Sequence, residues 1–143
     1  MIYIGKVADM SDSFDENLMI VRSPDEIPPF AKHIPLLSPS PELFACYKNA
    51  LKQGLFIKQW FDQKYVPRFI SELSENIEAM AYLEKLCEIS RHKDIFLACY
   101  CAVEALCHRS IIAGILLGMG AQIKTDDSYI KYFELLSIEQ YRS

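Results

Sequence analysis

No apolar run in this chain of 143 residues approaches the roughly 20 that a membrane helix needs, so nothing in it argues for a spanning segment. The first ten residues, MIYIGKVADM, have neither the basic start nor the long apolar core of a secretory signal, and a cytoplasmic protein without membrane contact is expected. A basic patch is missing too: Lys and Arg are scattered from Lys6 to Arg142. With 15 basic side chains against 19 acidic ones the formal charge is −4, which gives no long-range attraction to a phosphate backbone. Nucleic acid is therefore not an expected partner. There is no internal repeat, low-complexity tract or block of like charge, and no pair of cysteines has the spacing of a structural zinc knuckle.

What is present suits one ordinary domain. A hydrophobic content of 51% is enough for a proper core, and residues 1–143 are expected to form a single α/β unit. The five cysteines are an odd number, and in a reducing compartment their thiols are buried, catalytic or metal-bound rather than paired in disulfides. Cys46 and Cys87 fall in helical patterns beside Phe44, Tyr47, Leu83 and Leu86, and small core hydrophobes are expected there.

The runs MIYIGKV and NLMIVRS are short, β-branched and apolar, hence two strands joined by the loop ADMSDSFDE. Ser23 to Pro41 holds six of the seven prolines, which forbids continuous helix or central strand and predicts an extended loop anchored by its apolar side chains. Ser40 as N-cap, Pro41 at the first helical position and Gly54 beyond the end bound a helix with Leu43, Phe44, Tyr47 and Leu51 on one face. A short helix around Trp60, Phe61 and Tyr65 meets Pro67, which kinks or restarts it. The spacing of Phe69, Leu73, Ile77, Met80, Leu83 and Cys87 predicts one long helix to about Ser90, with Glu72, Glu75, Glu78 and Glu84 on a solvated face.

IFLACYC, from Ile95 to Cys101, has no alternation and reads as a strand buried on both faces of a parallel sheet. A helix ending at Gly118 or Gly120 follows, then AQIK as one more short strand, and a terminal amphipathic helix carrying Tyr129, Phe133 and Leu136. Strand, helix and strand in that order predict a three-layer, Rossmann-like α/β fold with a largely parallel sheet and flanking helices.

In such sheets ligands bind beyond the carboxyl ends of the strands. Cys99, Cys101, Cys107, His108 and Arg109 all fall at that end. Strand alternation puts Cys99 and Cys101 on one face and Tyr100 on the other. A thiol near a helix N-terminus and an arginine is a candidate nucleophile, whereas cysteines in apolar strands are otherwise inert packing. A zinc site would need Cys99, Cys101, Cys107 and His108 to converge, and C-x-C on a strand with adjacent C-H on a helix argues against that. No metal and no cofactor are expected. A phosphatase-type loop needs five residues between cysteine and arginine, but seven separate Cys101 from Arg109 and nine separate Cys99. His108 and Arg109 point about 100° apart on a helix, so one is expected to pack inward against the sheet while the other faces the ligand crevice.

Taken together, MIYIGKV, MIVRSP, LLSPSPELFACYK, WFDQKYVPRF, LACYC and CHRSIIAGIL resemble the α/β family catalogued as domain of unknown function 488, in its compact form. There, a strand ending in cysteine leads through a short loop to a Cys-His-Arg helix start, an early strand ends in arginine followed by Ser or Pro, and a tyrosine precedes the long helix. The resemblance runs from Met1 to about Ala121 and implies site residues Arg22, Cys99, Cys107, His108 and Arg109, with Tyr65 a looser match. Glu104 is the only charge in the loop CAVEAL, where members often carry an acidic residue and a proline, so no loop carboxylate is carried over. The resemblance brings a fold and a site but no reaction.

The expected function is binding of a small anionic, nucleotide-like ligand at the strand ends. Arg22 and Arg109 hold the anion with Tyr65 beside them, Cys99 or Cys107 supplies a thiol, and His108 acts as acid or base. The alternative is a non-catalytic interaction module, in which the cluster is packing and Trp60, Phe61 and Tyr65 serve the core or a homodimer contact. Arg109 discriminates the two, because in the second case it pairs with Glu104 or Asp126 instead of an external anion.

Overall fold

The computed structural model describes residues 1–54, 57–100 and 107–124. Strands β1 (Ile2–Lys6), β2 (Glu16–Met19), β3 (Ala31–His33) and β4 (Ile95–Cys99) form one sheet in the order β1-β4-β2-β3, and every pairing is parallel. All five residues of β4 are buried, as its unbroken apolar sequence requires of a strand with neighbours on both edges. Leu97 lies opposite Ile4 on one side and Leu18 on the other. At the β1 edge the expected AQIK strand is reduced to a single parallel bridge, Ile2 with Ile123. Ile2 N donates to Gln122 O at 2.7 Å, and Lys124 N donates to Ile2 O at 3.0 Å.

The proline-rich stretch is less irregular than its composition predicts. Between Pro29 and Pro35 it contributes β3, three residues long and at the sheet edge, where proline's missing N–H costs no ladder bond.

The first helix, α1 (Pro41–Lys52), has the expected start: the Ser40 side chain accepts from Leu43 N at 3.1 Å, and Pro41 opens the first turn. Gly54, at φ 64°, takes the left-handed conformation that ends it. Its inner face is Leu43, Tyr47 and Ala50, and Leu51 is half exposed, which corrects the expected stripe by one position. Cys46 is likewise exposed and not in the core. A short helix, α2 (Ile57–Trp60), runs into a π turn over Phe61–Tyr65, and α3 (Val66–Glu75) restarts with Pro67 in its first turn. The long helix expected to reach Ser90 is in fact two. Asn76 adopts an extended conformation, ends α3 and caps α4 (Ile77–Ile89) by accepting from Ala79 N at 3.1 Å, so Ile77 is left exposed. Glu72 is also not merely solvated: its carboxylate accepts from Ser40 N at 3.0 Å and from the Ser40 hydroxyl. The terminal helix expected beyond Asp126 lies outside the described residues.

One face of the sheet, with Ile2, Leu18, Ile95 and Leu97, packs in a single core with Phe69, Leu73, Leu83, Leu86 and the apolar residues of α5 (His108–Gly118). That last helix is buried without interruption from His108 to Leu116, its polar first turn of His108, Arg109 and Ser110 included, and from Ile111 onward its sequence is apolar. The opposite face carries an aromatic row, Tyr3, Phe14 and Phe96, with ring centroids 5.3 and 4.9 Å apart. The architecture is thus a parallel α/β sheet with flanking helices, in keeping with the three-layer class expected. None of the described helices is long and apolar enough to cross a membrane.

Gly5 is tied to that aromatic row, because a Cβ there would meet Cζ of Phe96 at 2.6 Å. Gly5→Ala is expected to destabilise the protein by about 1–3 kcal/mol through overpacking. The measurement is a urea midpoint that falls with an unchanged slope.

Candidate functional site

The site is built where β2 and β4 end and α5 begins. Beyond Met19 the chain stays in register for one more residue, as Ile20 N donates to Ala98 O at 3.0 Å, and then releases Val21 and Arg22. Strand β4 stops at Cys99, so Tyr100 leaves the sheet. Cys101 and Glu104 lie outside the described residues. On the other side of that gap Cys107 is the extended N-cap of α5, at φ −127° and ψ 144°, and His108 is the first helical residue.

These elements bring two sulfurs and one imidazole together in the interior. Cys107 Sγ lies 3.3 Å from Cys99 Sγ, and His108 Nδ1 lies 3.7 Å from Cys107 Sγ and 3.9 Å from Cys99 Sγ. All three residues are at most 5% exposed. The other imidazole nitrogen, Nε2, is 2.5 Å from Ile20 O. A carbonyl only accepts, so Nε2 carries the proton and donates, and in the neutral ring Nδ1 is left as an acceptor facing both thiols. Phe69 packs edge-on against the ring at 5.7 Å and fixes its plane. For three of the four groups the spacing argument against convergence does not hold; the fourth, Cys101, lies outside the described residues. Adjacent Cys107 and His108 do reach one point, because Cys107 sits in extended backbone before the helix and escapes the helical angle between neighbours.

A cavity of about 100 Å³ opens on this cluster, and Arg22, Tyr65, Cys99, Cys107 and His108 all line it. Five of the six residues singled out in the sequence are therefore brought together. Arg22 is half-buried at the rim, and its Nε donates to Pro39 O at 3.1 Å. Tyr65 closes the π turn, with its ring 4.8 Å from Phe61 and 5.3 Å from Tyr47; the extra residue in that turn aims it at the cavity. Arg109 is the exception. It is buried at 3% exposure and does not line the cavity, so the expected convergence of Arg22 and Arg109 on one pocket does not occur. The 100° between neighbours separates it from His108 as expected. Its candidate partners Glu104 and Asp126 lie outside the described residues.

Phe44, Tyr47, Pro39 and Tyr100, with Val21 and Ser23, complete the walls and were not singled out by the sequence as site residues. Tyr47 was legible in part, one turn after Leu43 on the inner face of α1. Tyr100 was not, because strand alternation directs it away from Cys99, and only the end of β4 at Cys99 turns it toward the cavity.

A parallel α/β domain with a buried dithiol and imidazole beyond its strand ends is the class defined by this fold and site. The family comparison agrees: residues 8–120 match the model described as the active DUF488-N3 subclade, and the chain belongs to that family. No curated protein and no solved structure matches it.

Outside the cluster, burial raises the Cys87 thiol above its ordinary value, with Arg91 opposing, and burial followed by the charge of Glu16 raises the Tyr82 phenol. Both groups thus stay neutral in the fold at pH values where the unfolded chain ionises them. Their contribution to stability is complete below the ordinary thiol and phenol values, about 8.5 and 10, and is lost as pH rises past them. Urea midpoints measured from pH 7 to 11 are expected to decline on the alkaline side, and Cys87→Ala with Tyr82→Phe to flatten the decline. An unaltered decline would assign it to other groups.

Proposed function

We propose that this protein binds a small anionic, nucleotide-like ligand in the cavity beyond β2 and β4 and acts on it through a thiol. Arg22 supplies the guanidinium for the anion, and the aromatic residues Tyr65, Tyr47 and Phe44 line the cavity with it. Cys99 or Cys107 is the nucleophile, and His108 Nδ1 takes its proton. The observation that carries this reading is the position of Nδ1, held within 4 Å of both sulfurs by the bond from Nε2 to Ile20 O. Arg109, buried in α5 next to the histidine in sequence, has a positioning role. The protein works as one α/β domain in the reducing cytoplasm, where the thiols stay free.

Two measurements test this. Nucleoside phosphates and inorganic phosphate are expected to raise the melting temperature of the wild-type protein, and Arg22→Ala to weaken that binding about 10- to 100-fold, the value of a charged hydrogen bond. Iodoacetamide is expected to alkylate Cys99 or Cys107 with a rate that rises between about pH 6 and 8 and falls in His108→Asn. Uniformly slow alkylation across that range would rule out the thiol role. Absence of any phosphate-dependent shift would leave the cluster as packing in an interaction module.

A further inference from the structure

We infer that Cys99, Cys107 and His108 form a binding site for a soft divalent cation, Zn²⁺ foremost, with its fourth position facing the cavity. The inference rests on the geometry of the site proposed above and not on the reactivity of its thiols.

The three donor atoms are separated by 3.3, 3.7 and 3.9 Å. Points so spaced lie on a circle of radius about 2.1 Å, so an ion slightly out of their plane sits about 2.2–2.3 Å from each, close to zinc–sulfur and zinc–nitrogen bond lengths. The donor types match as well. Two thiolates and an imidazole select zinc over magnesium or calcium, which take oxygen ligands. Charge is balanced, because binding releases two thiol protons and the two thiolates cancel the double positive charge. A neutral assembly is thereby left where an isolated charge would be costly.

The outer contact is also in place. Ligating histidines characteristically donate their second N–H to a carbonyl or carboxylate, and His108 Nε2 donates to Ile20 O. That bond directs the Nδ1 lone pair at the sulfurs before any ion arrives. All three donors line the cavity, so a fourth ligand enters from it: water, or an oxygen of an anion near Arg22. In the loaded form both sulfurs are ligands and neither is a nucleophile. Metal-bound and free-thiol forms are thus alternatives at one site.

The test uses the full chain with Zn²⁺ or Co²⁺ alone. One equivalent of Zn²⁺ is expected to bind with a Kd of about 1 µM or tighter in competition with a chromophoric chelator. Co²⁺ should give thiolate charge-transfer absorption with visible bands of tetrahedral intensity. Cys99→Ser and Cys107→Ser should each weaken binding at least about 100-fold, while Cys46→Ser leaves it unchanged. Because the two buried variants can fail to fold, the wild-type protein provides a second readout: Zn²⁺ should slow alkylation of Cys99 and Cys107, identified by mass spectrometry, at least about 10-fold. Equal alkylation with and without Zn²⁺, or Co²⁺ bound without thiolate absorption, overturns the site. Arg22→Ala separates the two proposals, since it should weaken phosphate binding about 10- to 100-fold and retain Zn²⁺; failure of the wild-type protein to bind phosphate counts only against the anion pocket.

Discussion

Strand β4 has hydrogen-bonded neighbours on both edges and is buried along its whole length, and the position of every site element follows from that constraint. A strand so enclosed can emerge only at its ends. Its carboxyl end brings Cys99 to the same level at which β2 releases Val21 and Arg22. The chain then returns into α5, buried through nine successive residues, so the start of that helix is pressed against the strand ends. The His108–Ile20 bond joins the two at that level. It satisfies a carbonyl that β2 leaves open when its ladder with β4 ends, and it sets the imidazole in one tautomer.

Features with a local chemical signature were legible in the sequence. An apolar run without alternation marks β4; Ser40, Pro41 and Gly54 mark both ends of α1; the order of Cys, His and Arg marks the start of α5. The rest depended on contacts between distant segments. Asn76 breaks a helical pattern that its neighbours continue, because its side chain caps the next amides, and periodicity does not detect such a break. The proline-rich segment forms β3 because Met19 offers a free carbonyl, which Ile34 N meets at 2.9 Å. Tyr65 reaches the cavity only because one extra residue is accommodated in the π turn before Pro67.

The same limit applies to the spacing of Cys107 and His108, whose Sγ and Nδ1 lie 3.7 Å apart. Spacing rules assume that neighbouring residues keep the angular separation of their element, and His108 and Arg109 do so, one lining the cavity and the other buried away from it. Cys107 precedes the first helical residue, and its extended backbone frees its side chain to turn back on His108. A cluster of side chains that straddles an N-cap has no characteristic spacing, and only the distances between its atoms show it.

The described cysteines separate by their immediate partners and not by sequence context. Cys46 is exposed on α1 with the Arg68 guanidinium 4.0 Å away. Cys87 is buried and donates its S–H to Met119 O at 3.3 Å, and a carbonyl cannot take the proton from it; burial therefore raises its pKa and keeps it neutral. Cys99 and Cys107 are as deeply buried, but they face a nitrogen that can accept a proton. Burial without such an acceptor stabilises the neutral thiol of Cys87, whereas Cys99 and Cys107 have the imidazole nitrogen within 4 Å. The hydrogen bond that orients that imidazole therefore distinguishes the surroundings of Cys99 and Cys107 from those of Cys87.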